Sequence, residues 1–134
     1  MEASRLTRTL RAAVGERLRA VATYAGTDRH LHYLRDDVRG KADVERVDRI
    51  HEELVFDAIG GRYLEGLFEL GDLRATAQHF EEGTIVHVAG EGYLGVFVSV
   101  DAEAAGQTTA VVDACRTWLR DRPSTGGSPM RRSE

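Results

Sequence analysis

Cysteine, lysine, proline and long apolar runs are all scarce in this chain. Cys115 is the single cysteine among 134 residues, so no disulfide can close within the chain, which suits a reducing compartment. Lys41 is the single lysine beside 17 arginines, and the two prolines, Pro123 and Pro129, both fall in the C-terminal segment. No apolar run approaches the roughly 20 residues of a membrane span. The opening MEASRLTRTL carries an acid and lacks the apolar stretch of a secretory leader. A cytoplasmic protein with no membrane partner is expected. Eighteen basic against 22 acidic residues give a formal net charge of −4. The positive charge is spread along the chain instead of gathered into one patch, which argues against nucleic acid as a partner.

What is present is enough for one domain. Apolar residues make up 42% of the chain, an ordinary share for a globular core. Leu6, Leu10 and Val14 recur at helical spacing over residues 4–15, with Ser4 placed to cap and Gly15 to stop the helix. Leu18, Val21 and Tyr24 precede the turn cluster AGTD (25–28), and Leu31 and Tyr33 follow it, which predicts a hairpin. Over residues 42–58, Val44, Val47, Ile50, His51, Leu54 and Ala58 form one stripe opposite Glu45, Asp48, Glu52 and Asp57, with Asp43 at the N-cap. IGG (59–61) reads as the end of that helix and RYLEGLFEL (62–70) as a short second one. The period then changes to two. DLRATAQHF, TIVHVAG and YLGVFVSVD predict a three-stranded antiparallel meander. The last strand is apolar on both faces and belongs inside a sheet. A closing helix over 103–120 would bury Val111, Val112, Cys115, Trp118 and Leu119. The expected domain is 1–121, followed by a polar, disordered tail at 122–134.

Few motifs survive scrutiny. GEGYLG (90–95) spells a dinucleotide-binding pattern, but strand residues follow it where a phosphate-binding helix would have to begin. It reads as a hairpin turn, with Gly90 and Gly92 at positive φ and Gly95 inside the strand where a neighbour packs closely. HEEL (51–54) opens like a zinc-protease helix, but Val55 stands where the second histidine is needed. His30 and His32 read as sharing a strand face. His79 and His87 read as lying on neighbouring strands, and no third ligand converges on either pair. Asp36 and Asp37 alternate across a strand end and make no catalytic pair. Ser99 has no nucleophile-elbow setting. Cys115 reads as a buried thiol. The arginines of residues 5–19 read as a solvated helix face. No metal, cofactor or catalytic residue is expected.

In order, the predicted elements are helix, strand, strand, helix with a short extra helix, strand, strand, strand and helix, across residues 4–120. This order resembles the roadblock/dynein-light-chain family, a profilin-like α/β fold. The segments YLRDDV (33–38) and GVFVSVD (95–101) are also similar to small uncharacterised haloarchaeal proteins, in keeping with the arginine bias and the acidity. The roadblock resemblance implies a five-stranded antiparallel sheet in the order second, first, fifth, fourth, third, flanked by helices. It also implies a homodimer that joins third strands edge to edge and packs the central helices together. Here those elements are Leu73–Phe80 and residues 43–58, with Val47, Ile50, His51, Leu54, Leu73, Ala75 and Ala77 at the interface. GRYLEGLFEL (61–70) is an insertion beyond the minimal pattern, placed to cap the sheet.

Three kinds of function compete. The absence of a catalytic set favours a non-enzymatic module that pairs with itself and scaffolds a small GTPase or signalling partner, as the resemblance implies. The alternative is a small-ligand sensor of the PAS or GAF kind, with a pocket between sheet and helices lined by Tyr33, His79, His87 and Phe97. An enzyme would need an acid or nucleophile beside His79 or His87, and the sequence offers none.

Overall fold

Leucine and valine recur every three or four residues near both ends of the chain and every second residue in the strands, and the fold follows these two periods. The computed structural model describes residues 2–40 and 44–121. The elements are α1 (Glu2–Val14), β1 (Leu18–Ala25), β2 (Asp28–Leu34), α2 (Asp36–Arg39), α3 (Val44–Phe68), β3 (Ala75–His79), β4 (Gly83–Ala89), β5 (Leu94–Asp101) and α4 (Thr108–Asp121). Short 3-10 turns lie at Gly15–Arg17 and Ala102–Gln107. The strands form a five-stranded antiparallel sheet in the order β2-β1-β5-β4-β3. Element order and strand order both match the sequence reading. The tail at 122–134 and the N-cap at Asp43 lie outside the described residues.

The main core covers one face of the sheet. Register sets Val96, Val98 and Val100 of β5 beside Thr23, Val21 and Leu18 of β1 and beside Val88, Val86 and Thr84 of β4. Leu6, Leu10 and Val14 of α1 and Val111, Cys115 and Trp118 of α4 close over that face. Each aliphatic side chain buried this way contributes about 1.5–3 kcal/mol before the entropy of ordering it is subtracted. Arg11 of α1 stacks over the Tyr33 ring, 5.3 Å from its centroid, and ties α1 to β2. Burial pushes the Cys115 thiol up to about 12, so the lone cysteine is an inert core group.

The other face carries Ala20, Ala22 and Tyr24 of β1, Ile85 and His87 of β4, and Gly95, Phe97 and Ser99 of β5. α3 lies over it. Asp48 of α3 forms an ion pair with Arg29 of β2, and the His51 ring stands 5.7 Å from that of Tyr24. Tyr24 reaches across β5 because residue 95 has no side chain: a Cβ there would sit 2.2 Å from Tyr24 Cζ. The hydroxyl end of Tyr24 then shares a 2.7 Å hydrogen bond with Nε2 of His87 on the next strand.

Several expectations are corrected. Gly60 and Gly61 do not stop the central helix; α3 runs unbroken for 25 residues. Two glycines cost only about 1 kcal/mol each in a helix, and a Cβ on Gly61 would meet Leu73 Cδ2 at 2.9 Å, so the glycine admits the following chain. Gly61–Phe68 of GRYLEGLFEL therefore extend α3 instead of forming a separate helix. Asp36 and Asp37 begin the short helix α2 and are not strand residues. Asp48, expected on the solvent face, turns towards Arg29. α1 starts at Glu2, ahead of the expected cap Ser4, whereas Gly15 does stop it, with φ +64°. β3 is shorter than predicted, since Leu73, Arg74 and Phe80 fall outside it. In the 90–95 turn the positive φ values belong to Gly92 and Tyr93, the pair required by a tight two-residue hairpin turn. Gly90 instead packs closely on α4, its Cβ position being 3.2 Å from Leu119 Cδ2.

Arg35 joins four segments where β2 ends. Its Nη1 donates to Asp101 Oδ2 at 2.7 Å and its Nη2 to Asp101 Oδ1 at 2.9 Å. Nε donates to Asp37 Oδ1 at 2.5 Å, and Nη1 also to the Glu16 carbonyl at 2.9 Å. This fork holds β2, the turn after α1, the end of β5 and the start of α2 together. The Arg35 guanidinium holds the Asp101 carboxyl below its ordinary value. A carboxyl whose pKa is lowered by folding adds stability that is complete above about pH 4 and fades as acid titrates the folded form.

Two outcomes are expected. Chemical denaturation of Gly95→Ala should show a loss of about 1–3 kcal/mol from overpacking, and Tyr24→Ala introduced alongside should recover part of it, because the two sites couple. Asp101→Asn should be clearly less stable than the parent at neutral pH, and melting curves of the two should converge as the pH drops below the carboxylate range. A gap that persisted at low pH would mean that Asp101 acts through packing and not through charge.

Candidate functional site

β1 and β5 both carry small residues on the face beneath α3, and this leaves room there. Ala20, Ala22 and Gly95 cannot fill the layer, so a cavity of about 260 Å³ remains between the sheet and the first half of α3. Its apolar wall includes Ala22, Leu31, Leu34, Val38, Ile50 and Phe97. Tyr24 stands at one end, held by His87 and flanked by His51. Burial raises the Tyr24 phenol, which stays neutral and serves as a hydrogen-bonding group. Nε2 of His51 is buried and has no hydrogen-bond partner.

Among the described residues the charged lining is of one sign: Arg19, Arg29 and Arg46 reach the cavity and no Asp or Glu does. Arg29 is answered by Asp48. Arg19 is half-buried and donates from Nε to Ser99 Oγ at 3.2 Å. Its nearest carboxylate, Asp101, lies 3.6 Å from Nη1, too far for a good hydrogen bond, since Asp101 is already taken by Arg35.

The residues named from the sequence divide between faces. His87 and Phe97 share the α3 face, and Phe97 lines the cavity. Tyr33 and His79 lie on the opposite face: Tyr33 pairs with Val21 and sits under Arg11, and His79 pairs with Thr84 and shares a 3.1 Å hydrogen bond with its hydroxyl. The expected pocket of Tyr33, His79, His87 and Phe97 is therefore not assembled, because one residue of register separates the two pairs. Ile50 and His51, expected at an interface, line the cavity. The side chains of Val47 and Leu54 lie outside the described residues. Leu73 packs on Gly61, Ala75 rests partly buried against the main core, and Ala77 is exposed on β3. The rings of His30 and His32 are 6.1 Å apart at the β-bulge, where His32 shares a 2.6 Å hydrogen bond with Thr23. Among the described residues no three His, Cys, Asp or Glu side chains group to hold a metal ion, and no helix is long and apolar enough to cross a membrane.

Tyr24 and Arg46 were not singled out as site residues by the sequence reading, and Ser99 was weighed only as a nucleophile. Arg19, read with the solvated arginines of residues 5–19, lies instead in β1 with a half-buried side chain. A signal for Tyr24 was present: an aromatic residue in a strand that neighbours an in-strand glycine covers the bare backbone. The arginines carried no such signal, since they reach one cavity from two strands and a helix.

The fold and its roofed sheet define a five-stranded antiparallel α/β domain with paired terminal helices on one face and a long central helix on the other. Residues 4–120 match the family described as Domain of unknown function (DUF7522), and the chain belongs to that family. No curated protein matches it.

Tyr24→Phe tests the hydrogen bond at the end of the cavity. It keeps the ring above Gly95 and deletes the hydroxyl from a buried pair, so denaturant titration should record a loss of about 1–2 kcal/mol. A neutral result would show that the ring alone organises this face.

Proposed function

We propose that the chain is a non-catalytic interaction module that pairs with a second copy of itself through β3 and the outer half of α3. In that form it scaffolds a signalling or small-GTPase-type partner in the cytoplasm. The carrying observation is a concentration of exposed apolar side chains beside an open sheet edge. Tyr63, Leu64, Leu67 and Phe68 lie one helical turn apart on α3 and are all exposed, and Leu70 in the link that follows is 86% exposed. The Leu73 amide donates to Glu65 Oε2 at 2.7 Å, which fastens this half of α3 to the start of β3. Solvent-exposed apolar groups gathered this way mark an interaction surface.

The edge itself supports the same reading. β3 consists of Ala75, Thr76, Ala77, Gln78 and His79 and pairs only with β4 among the described strands. It carries neither lysine nor proline nor a bulge, the usual means of blunting an edge. The opposite edge, β2, carries Asp28, Arg29, His30 and His32, and its pairing with β1 is bulged. The partner class follows from the resemblance to the roadblock family. The cytoplasmic setting follows from a single cysteine that is buried and unpaired.

Sedimentation velocity over a range of protein concentrations tests the pairing. The parent chain should sediment as a dimer and Leu67→Asp/Phe68→Asp as a monomer. Both side chains are exposed in the single chain, so the circular dichroism spectrum of the variant should be unchanged. A parent that stays monomeric at every concentration, or a variant that dimerises as well as the parent, would sink the reading.

A further inference from the structure

We propose that the cavity beneath α3 is a binding site for a small organic carboxylate with an apolar body. This goes beyond the pairing reading and uses the other half of α3. Three features of the wall point the same way. The first is size: about 260 Å³ lies just under the roughly 300–1,000 Å³ usual for drug-sized ligands, so the occupant is small. The second is composition. Ala22, Leu31, Leu34, Ile50 and Phe97 offer an apolar lining that favours a hydrocarbon chain or ring over a sugar or a phosphate ester.

The third feature is charge. Among the described residues no Asp or Glu lines the cavity, while three arginines do. Arg19 is the group best suited to an anion. Its guanidinium is fixed by the Nε bond to Ser99, and Asp101 pairs with it only at 3.6 Å while accepting its short hydrogen bonds from Arg35. Its Nη groups are thus held in place with donor capacity to spare, and Arg19 forms charge-assisted bonds best with a planar carboxylate. The buried, unpartnered Nε2 of His51 on the same wall supplies a further polar atom with nothing to bond. A neutral ligand of the same shape would forgo a charge-assisted bond to Arg19.

Isothermal titration calorimetry on the full chain tests this with benzoate, phenylacetate and hexanoate as probes and benzamide as the neutral counterpart of benzoate. At least one carboxylate should bind saturably, one per chain, and benzoate should bind about tenfold or more tighter than benzamide, the difference expected of a charge-assisted bond. Ala22→Leu, which fills the cavity, should abolish binding; Ile50→Phe fills it from the helix side should the first variant not fold. Arg19→Gln should bring benzoate down to the level of benzamide while leaving benzamide binding as in the parent. Absence of saturable binding by all three carboxylates, equal binding of benzoate and benzamide, or undiminished binding in the filled variants would overturn the proposal.

Discussion

The second face of the sheet depends on a side chain that is not there. With hydrogen at position 95, the Tyr24 ring occupies the space over β5 that a side chain would take, and its hydroxyl arrives within 2.7 Å of His87. Three strands are thereby joined by side-chain contacts on the face that has few large aliphatic groups of its own. The His51 ring of α3 meets Tyr24 from above, so the same glycine also fixes where the central helix comes down. The valine core on the other face needs no such device, because alternate residues of β4 and β5 present mainly Val and Thr to α1 and α4. One face is held by volume and the other by a specific contact.

This asymmetry divides the work of α3. Its first half stands off the sheet on Tyr24 and the Arg29–Asp48 ion pair and leaves a cavity beneath it. Its second half projects apolar residues outward and is anchored by Gly61 and Glu65 to Leu73. A helix of 25 residues spans about 37 Å, enough to serve both ends of the domain. The glycine pair at its middle would be expected to break a helix by propensity alone. Here tertiary contact overrides propensity, because Leu73 packs where a larger residue would project.

The fold was legible in the sequence where hydrophobic period was strong. Leu6, Leu10 and Val14 announced α1, and the alternation through TIVHVAG and GVFVSVD announced the central strands. Gly95 was legible too, as a strand glycine requiring a close neighbour, although nothing local named Tyr24 as that neighbour. What was illegible depended on register and distance. His79 and His87 read as partners on adjacent strands, but pairing of His79 with Thr84 and of His87 with Phe97 sets them on opposite faces. The arginines of the cavity wall are scattered over residues 19 to 46 and share no spacing that a motif could capture. Arg35 likewise reads as one surface cation among many until β5 brings Asp101 beside it.

The two rims of the sheet have unlike chemistry, and this bears on how far association can go. A domain with two sticky rims would add copies without end and grow as a filament. Here the β3 rim is unbulged and has His79 as its one ionisable residue, while the β2 rim is bulged and carries Asp28, Arg29, His30 and His32. Once two copies meet at β3 the supply of receptive strand is exhausted. Under the proposed pairing, a closed pair and not a polymer is the end point.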